Sequence, residues 1–181
     1  MTQPAAPPAN EADRQACLSA LDVLDTAPEP VFEQITQLAA EICGVPIALV
    51  SLVDAHRQWF KSNVGLAGVS ETHRDLAFCA HAILSNELME VVDAALDPRF
   101  AANPLVTDGP RIRFYAGAPL TMPRGERLGT LCVIDTVPRQ LTPMQRTSLA
   151  GLARIVTTTL LERKQRLALT NELAQTEASY Q

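Results

Sequence analysis

Apolar residues recur along this chain first at helical spacing, then at strand spacing, then at helical spacing again, and these three regimes define its elements. Asn10 can cap a first helix whose apolar positions include Leu18 and Leu21. Thr26-Ala27-Pro28-Glu29 reads as a Thr-x-x-Glu capping box with proline just inside. Val31, Phe32, Ile35, Leu38, Ala39 and Ile42 follow at helical spacing as far as Gly44, which predicts a helix with one buried face and a glycine stop. Pro46 to Asp54 is apolar on both faces apart from Ser51, the pattern of a central strand. Ala55-His56 makes a short connection into Arg57 to Ser62, whose mixed polarity suits a hairpin partner nearer the sheet edge.

Gly65 to Ser70 reads as loop, and Thr72 with Asp75 opens a predicted helix through Leu76, Cys79, Ala80 and Ile83. Met89 to Asp93 follows as a short strand. Ala94 to Pro110 carries Asp-Pro, Asn-Pro and Gly-Pro steps, each disfavouring helix before the proline, so it is predicted as loop with one short helical turn, the natural place for a ligand lid. Ile112 to Leu120 and Leu128 to Asp135 form two strands joined through Met122-Pro123-Arg124-Gly125-Glu126. Five strands, mostly in hairpins, predict an antiparallel sheet and an α+β fold. From Thr142 the pattern is helical again: Thr142 caps, Pro143 fits the first position, and Gln145 completes a Thr-x-x-Gln box.

Composition divides the same 181 residues into zones, since the last of 13 prolines is Pro143 and the last of eight glycines is Gly151. The Pro-rich stretch 1–10 is predicted to be disordered, 11–162 to be the folded domain, and 163–181 to be a helical extension. A formal charge of −5 argues against a polyanion-binding surface, so no nucleic acid partner is expected. No apolar run approaches the ~20 residues of a membrane span, and the start lacks the pattern of a signal peptide. A cytoplasmic protein without membrane contact is therefore expected. Cys17, Cys43, Cys79 and Cys132 are too dispersed for CxxC sites and are read as mostly buried thiols.

Linked segments resemble the GAF domain family, and in particular the GAF domains that precede the output domains of bacterial histidine kinases and diguanylate cyclases. They are Leu24-Asp25-Thr26, Pro46 to Asp54, Arg57 to Ser62, Phe78-Cys79-Ala80-His81-Ala82-Ile83, Asp97-Pro98-Arg99-Phe100, Arg113 to Leu120 and Gly129 to Asp135, in an order spanning Leu18 to Glu162. The resemblance implies a PAS-like α+β fold, with terminal helices on one face of a central antiparallel sheet and any ligand pocket on the other. It also implies a sensory module of signal transduction, including two-component systems, that binds a small molecule and acts on a kinase or cyclase effector. No kinase ATP site, GG(D/E)EF segment or P-loop is present.

Several residues can carry chemistry. Phe78 and His81 lie on a predicted helix, but the adjacent Cys-His pair of bilin-attaching relatives is interrupted by Ala80, so no bilin is expected. His81 has no second ligand at metal spacing, so no haem or metal is expected either. Asp93, Arg99 and Phe100 in the loop, with Arg113 and Tyr115 on the next strand, offer donors and ring faces to an anionic small molecule. The structural alternative is an Asx turn at Asp97 closed by an Asp93–Arg99 ion pair. Cys79 and Cys132 form the catalytic alternative, a thiol-based free methionine sulfoxide reductase, although the glycine-flanked cysteine of those enzymes is absent. Trp59-Phe60 is read as core rather than as a partner patch.

The last helix carries a heptad-like seam of Leu149, Leu152, Val156, Leu160, Arg163, Leu167, Thr170 and Ala174. Its later part is thin for a lone helix in water, which predicts a homodimer through the N- and C-terminal helices. A ligand-free dimerisation module is the remaining alternative.

Overall fold

The computed structural model describes residues 1–180. Its elements are α1 (Glu11–Ala20), α2 (Pro30–Cys43), β1 (Ile47–Val53), β2 (Arg57–Val64), β3 (Glu71–His73), a 3-10 turn (Arg74–Leu76), α3 (Phe78–Ala82), β4 (Met89–Val91), α4 (Pro104–Thr107), β5 (Phe114–Thr121), β6 (Arg127–Asp135) and α5 (Pro143–Ser179). The strands form one antiparallel sheet in the order β3-β2-β1-β6-β5-β4, with β1 and β6 at its centre. The α+β class with a central antiparallel sheet is therefore as the sequence predicts.

Strand alternation sorts the core into two layers. Ala48, Val50 and Leu52 of β1 and Phe114, Ala116 and Leu120 of β5 face a layer built with α1, α2 and α5, whereas Ile47, Leu49, Val53 and Tyr115 face α3 and the segment leading to β5. Trp59 and Phe60, adjacent on β2, are both buried and fall one into each layer. They are core, not a partner patch.

Local chemistry explains most element ends. Gly44 closes α2 with φ +63°, a left-handed conformation that favours glycine. Thr142 and Gln145 form the reciprocal capping box of α5. Three sequence expectations are corrected. Helix α2 starts at Pro30, not after Thr26, because Glu29 precedes a proline and is held extended; Thr26 instead accepts from Lys61 Nζ at 2.7 Å and donates to the Val23 carbonyl at 2.5 Å. Asn10 stands at the start of α1 but its side chain caps nothing, donating instead to the Gly125 carbonyl at 3.4 Å. The helix expected from Thr72 is split, because Thr72 pairs with Gln58 in the edge strand β3 and Ala77 is extended (ψ 121°) between the 3-10 turn and α3. That edge strand makes six strands where the sequence suggested five.

Residues 1–10, expected to be disordered, carry no helix or strand and lie across the α3 side of the domain. Ala5 packs against the α3 layer, Pro8 is buried, and the Gln3 carbonyl lies 3.0 Å from His81 Nε2. A cluster of charges fastens α1 beneath the β1–β2 hairpin. Arg14, wholly buried, donates to the Val53 carbonyl at 2.6 Å and pairs with Glu11 at 2.9 Å, while Arg74 reaches the same carboxylate at 2.6 Å.

Candidate functional site

A cavity of about 260 Å³ lies between the sheet and the segments that cross its α3 face. Its walls are largely apolar, with Leu49, Phe60 and Ile134 from the sheet, Phe78 from α3, and Leu66, Leu105 and Ile112 from the crossing loops. Val69 and Gly109, both exposed, mark its mouth. Its polar groups are few: Gln58 and Thr72 near β3, and Tyr115, Cys79 and Cys132 over the centre of the sheet.

Each polar group is fixed by a neighbour. Ser51, the one polar residue of β1, donates to Gln58 Oε1 at 3.1 Å, and Gln58 Nε2 donates to Thr72 Oγ1 at 2.5 Å. Tyr115, fully buried, donates its hydroxyl to Cys79 Sγ at 3.2 Å, and Cys79 Sγ lies 3.0 Å from Thr130 Oγ1. Gly117 makes this possible. A Cβ there would sit 2.2 Å from the Tyr115 hydroxyl, so only glycine lets the ring lie along β5 toward the centre of the sheet. Phe78 holds the ring from above at 5.2 Å between centroids and itself stacks on Phe100 at 4.0 Å.

Burial acts on both cavity thiols and favours the neutral form. Around Cys79 it is opposed by the hydroxyls of Thr130 and Tyr115 and by the neighbouring Cys132, which draw that thiol below its ordinary value. Cys132 is pushed well above the ordinary thiol value by its hydrogen bond with Cys79 and by burial.

The loops around the cavity are held by Arg113 and Arg99, which the sequence offered as ligand donors, and by Asn103, which it did not. Arg113 donates through one nitrogen to the Val106 carbonyl at 3.0 Å and the Ile112 carbonyl at 3.1 Å, bracing α4. Asn103 caps α4 at Leu105 N (2.9 Å) and donates to the Leu76 carbonyl at 3.0 Å, tying α4 to the 3-10 turn. Arg99 forms two bonds with Asp97, at 3.0 and 2.7 Å, that draw the Asp97 carboxyl below its ordinary range. The ion pair once expected between Arg99 and Asp93 thus goes to Asp97 instead. Asp93 accepts from Ala95 N at 3.0 Å in an Asx turn.

Of the seven residues put forward as ligand contacts, Phe78 and Tyr115 line the cavity, and so do the alternative pair Cys79 and Cys132. Phe100 stands behind Phe78, and His81 packs edge-on against Phe100 at 4.9 Å under the N-terminal stretch, where burial lowers its basicity. Asp93, Arg99 and Arg113 lie off the cavity in the loops around it. Sequence reasoning missed Gln58 and Thr72; the signal that pointed to them was Ser51, a polar interruption in an otherwise apolar strand. Among the described residues no group of three or more metal-ligating side chains converges.

Helix α5 lies on the opposite face. Leu149, Ala153, Val156 and Leu160 are buried against the sheet, and Arg163 anchors the next turn by donating to the Leu21 carbonyl at 2.9 Å and the Asp22 carbonyl at 2.8 Å. Beyond it the helix leaves the domain, with Leu169 61% and Leu173 65% exposed. The first half of the expected seam is thus domain core, while Leu167, Thr170 and Ala174 lie on the projecting half.

An antiparallel sheet carrying helices on one face and a cavity on the other defines an α+β domain of the PAS-like kind. The family model described as GAF domain matches residues 27–160, and the chain belongs to that family, whose members serve as sensor and regulatory domains in signal transduction. The chain is 49% identical over 132 residues to a cyclic di-GMP phosphodiesterase of Pseudomonas aeruginosa, a match covering 73% of this chain and 22% of that protein. It therefore spans about a fifth of that relative. Among solved structures it is similar to a domain of a protein described as a two-component sensor histidine kinase from Sinorhizobium meliloti (TM-score 0.62, 16% identity, 81% of this chain and 99% of that one). It is similar also to the GAF domain of an Acinetobacter phosphoenolpyruvate-protein phosphotransferase (TM-score 0.60, 16% identity, 86% and 98%). At these identities the structures speak for the fold. No helix among the described residues is long and apolar enough to cross a membrane.

Proposed function

We propose that this domain senses a small, uncharged, largely apolar molecule in the cavity beneath α4 and passes occupancy to a dimeric α5 that drives an effector kinase, cyclase or phosphodiesterase. The observation that carries the reading is the chemistry of the walls. No Lys, Arg, Asp or Glu lines the cavity, while Gln58, Thr72 and Tyr115 supply a few fixed polar contacts. At about 260 Å³ it lies below the ~300–1,000 Å³ of drug-sized sites. An anion is disfavoured here, because burying an unpaired charge costs several kcal/mol or more. The walls speak against cyclic nucleotides on that ground, and a zwitterionic amino acid such as methionine sulfoxide finds no charged partner either.

The route to α5 follows strand alternation. Tyr115 faces the cavity, while its neighbours Phe114 and Ala116 face the layer that holds α5. A ligand that prefers one placement of Tyr115 therefore biases the seat of α5, by no more than its differential affinity for the two arrangements. The projecting part of α5, about 25 Å for its last 17 residues, is marginal alone in water and is stabilised by a second copy packed along Leu169 and Leu173.

The test is a titration of the full chain with p-cresol, indole and cyclic AMP, followed by amide NMR. The reading expects p-cresol or indole to shift Tyr115, Thr130 and Ile134, with smaller shifts along Leu149 to Leu160, and cyclic AMP to shift none of them. Saturable binding of cyclic AMP in the cavity would overturn it.

A further inference from the structure

The cavity contains two thiols that ligand binding does not explain. Cys79 stands on α3 and Cys132 on β6, and Cys79 Sγ lies 3.0 Å from Thr130 Oγ1, two residues from Cys132 on the same face of that strand. Both line the cavity, whereas Cys17 and Cys43 belong to the helical layer on the other face. All four are reduced and buried, so position in the fold, not gross exposure, separates them. Packing alone does not account for the arrangement. A thiol that merely fills space needs no polar partners, yet Cys79 has the Tyr115 hydroxyl at 3.2 Å and Thr130 Oγ1 at 3.0 Å, with Cys132 lining the same cavity.

We propose that Cys79 and Cys132 form a hydroperoxide-reactive pair, in which a hydroperoxide entering the cavity oxidises Cys79 and Cys132 resolves the product as a disulfide tying α3 to β6. In the first step the Cys79 sulfur attacks the terminal oxygen of ROOH. The S–O bond forms, the O–O bond breaks, and the RO⁻ that leaves takes up the proton given up by Cys79, leaving ROH and a sulfenic acid. In the second step the Cys132 sulfur attacks the Cys79 sulfur. The S–S bond forms, the S–O bond breaks, and hydroxide leaves with the Cys132 proton as water. The two sulfurs together lose two electrons, the hydroperoxide is reduced to alcohol and water, and a dithiol reductant restores the pair.

Each neighbour has a part in this. Tyr115 donates to the Cys79 sulfur at 3.2 Å and stabilises the negative charge that develops there as the thiol proton leaves, and the apolar walls favour an organic hydroperoxide over a charged oxidant. The low value of Cys79 supports the order of events. The hydroxyls of Tyr115 and Thr130 draw the Cys79 thiol down, whereas burial pushes Cys17 and Cys43 up, so Cys79 reacts ahead of them. The modification goes beyond ligand sensing and does not need a resident ligand, since it requires only that the cavity admit the oxidant.

The test treats the reduced full chain with cumene hydroperoxide and with hydrogen peroxide, then follows intact mass and maps each cysteine by differential alkylation. The wild type is expected to lose the mass of two hydrogens, with Cys79 and Cys132 joined and the mass restored by dithiothreitol. Cys132→Ser is expected to stop at one added oxygen on Cys79 that dimedone traps, and Cys79→Ser to leave Cys132 reduced. Circular dichroism melts confirm that each variant is folded. Should either variant fail to fold, the wild-type alkylation map decides alone, because the cavity pair must be oxidised and joined while Cys17 and Cys43 are still alkylated as free thiols. Oxidation of Cys17 or Cys43 at the same rate as Cys79, or Cys79 oxidised without linkage to Cys132, overturns the proposal. Neither outcome bears on whether p-cresol or indole binds, so the two readings fail separately.

Discussion

Gly117→Ala is the most informative single change in the site. The added Cβ would lie 2.2 Å from the Tyr115 hydroxyl, 2.7 Å from Cζ and 2.9 Å from Cε1, so the ring must move. It has little room to do so, being fully buried against Phe78. Overpacking of this kind costs about 1–3 kcal/mol, and displacing the hydroxyl from Cys79 and Thr130 adds roughly 1 kcal/mol, which gives about 2–4 kcal/mol in total. For a domain of this size that corresponds to a fall in Tm of roughly 5–15 °C. Urea denaturation with Tyr115→Ala as the second arm of a double-mutant cycle separates the clash from any general effect on β5. With the ring removed the alanine has nothing to strike, and the cycle should return a coupling of at least about 1 kcal/mol. A cost for Gly117→Ala that is the same in the Tyr115→Ala background would refute the argument that glycine is there for the ring.

Three further predictions follow from named contacts. Burial raises the Glu11 carboxyl, but bonds from Arg14, Arg74 and Gln15 hold it well below the ordinary carboxylate range. Its stabilisation is therefore complete above its unfolded value near 4.5 and is lost as pH falls toward the folded value; Glu11→Gln should cost about 2–3 kcal/mol at pH 7 and flatten the acid limb of the stability curve, measured by urea melts between pH 3 and 7. Thr142→Ala removes the capping box of α5 and should cost about 1 kcal/mol, seen as faster amide exchange at Met144 to Arg146. The proposed α5 pairing predicts that the wild type sediments as a dimer and that Leu169→Asp with Leu173→Asp sediments as a monomer with the Tm of the domain unchanged; a dimer that survives both changes refutes pairing along these residues.

What the sequence disclosed was what is encoded locally. The Thr142–Gln145 box, the Gly44 stop and the central strand around Ser51 each rest on a few neighbouring residues, and all three stand in the structure. The edge strand Glu71–His73 escaped because three residues show no period, and Ala77 broke the predicted helix without a glycine or proline to mark it. The start of α2 was misread because two rules competed, and Pro30 outweighed the Thr26 box. The site was harder for a related reason. Charged residues stand out in a sequence, yet here Arg99 is engaged by Asp97 and Arg113 by backbone carbonyls. The cavity is lined instead by apolar residues such as Leu49 and Ile134, whose spacing is indistinguishable from that of the opposite core layer. Only tertiary contact sorts the two faces.

The central claim is that events in the cavity reach the projecting end of α5. Amide hydrogen exchange of the full chain, with and without saturating p-cresol, tests it directly. The account predicts slowed exchange in β5 and β6 around Tyr115 and Thr130, together with altered exchange between Lys164 and Ser179, where no ligand contact exists. Protection around the cavity with unchanged exchange beyond Arg163 would contradict it.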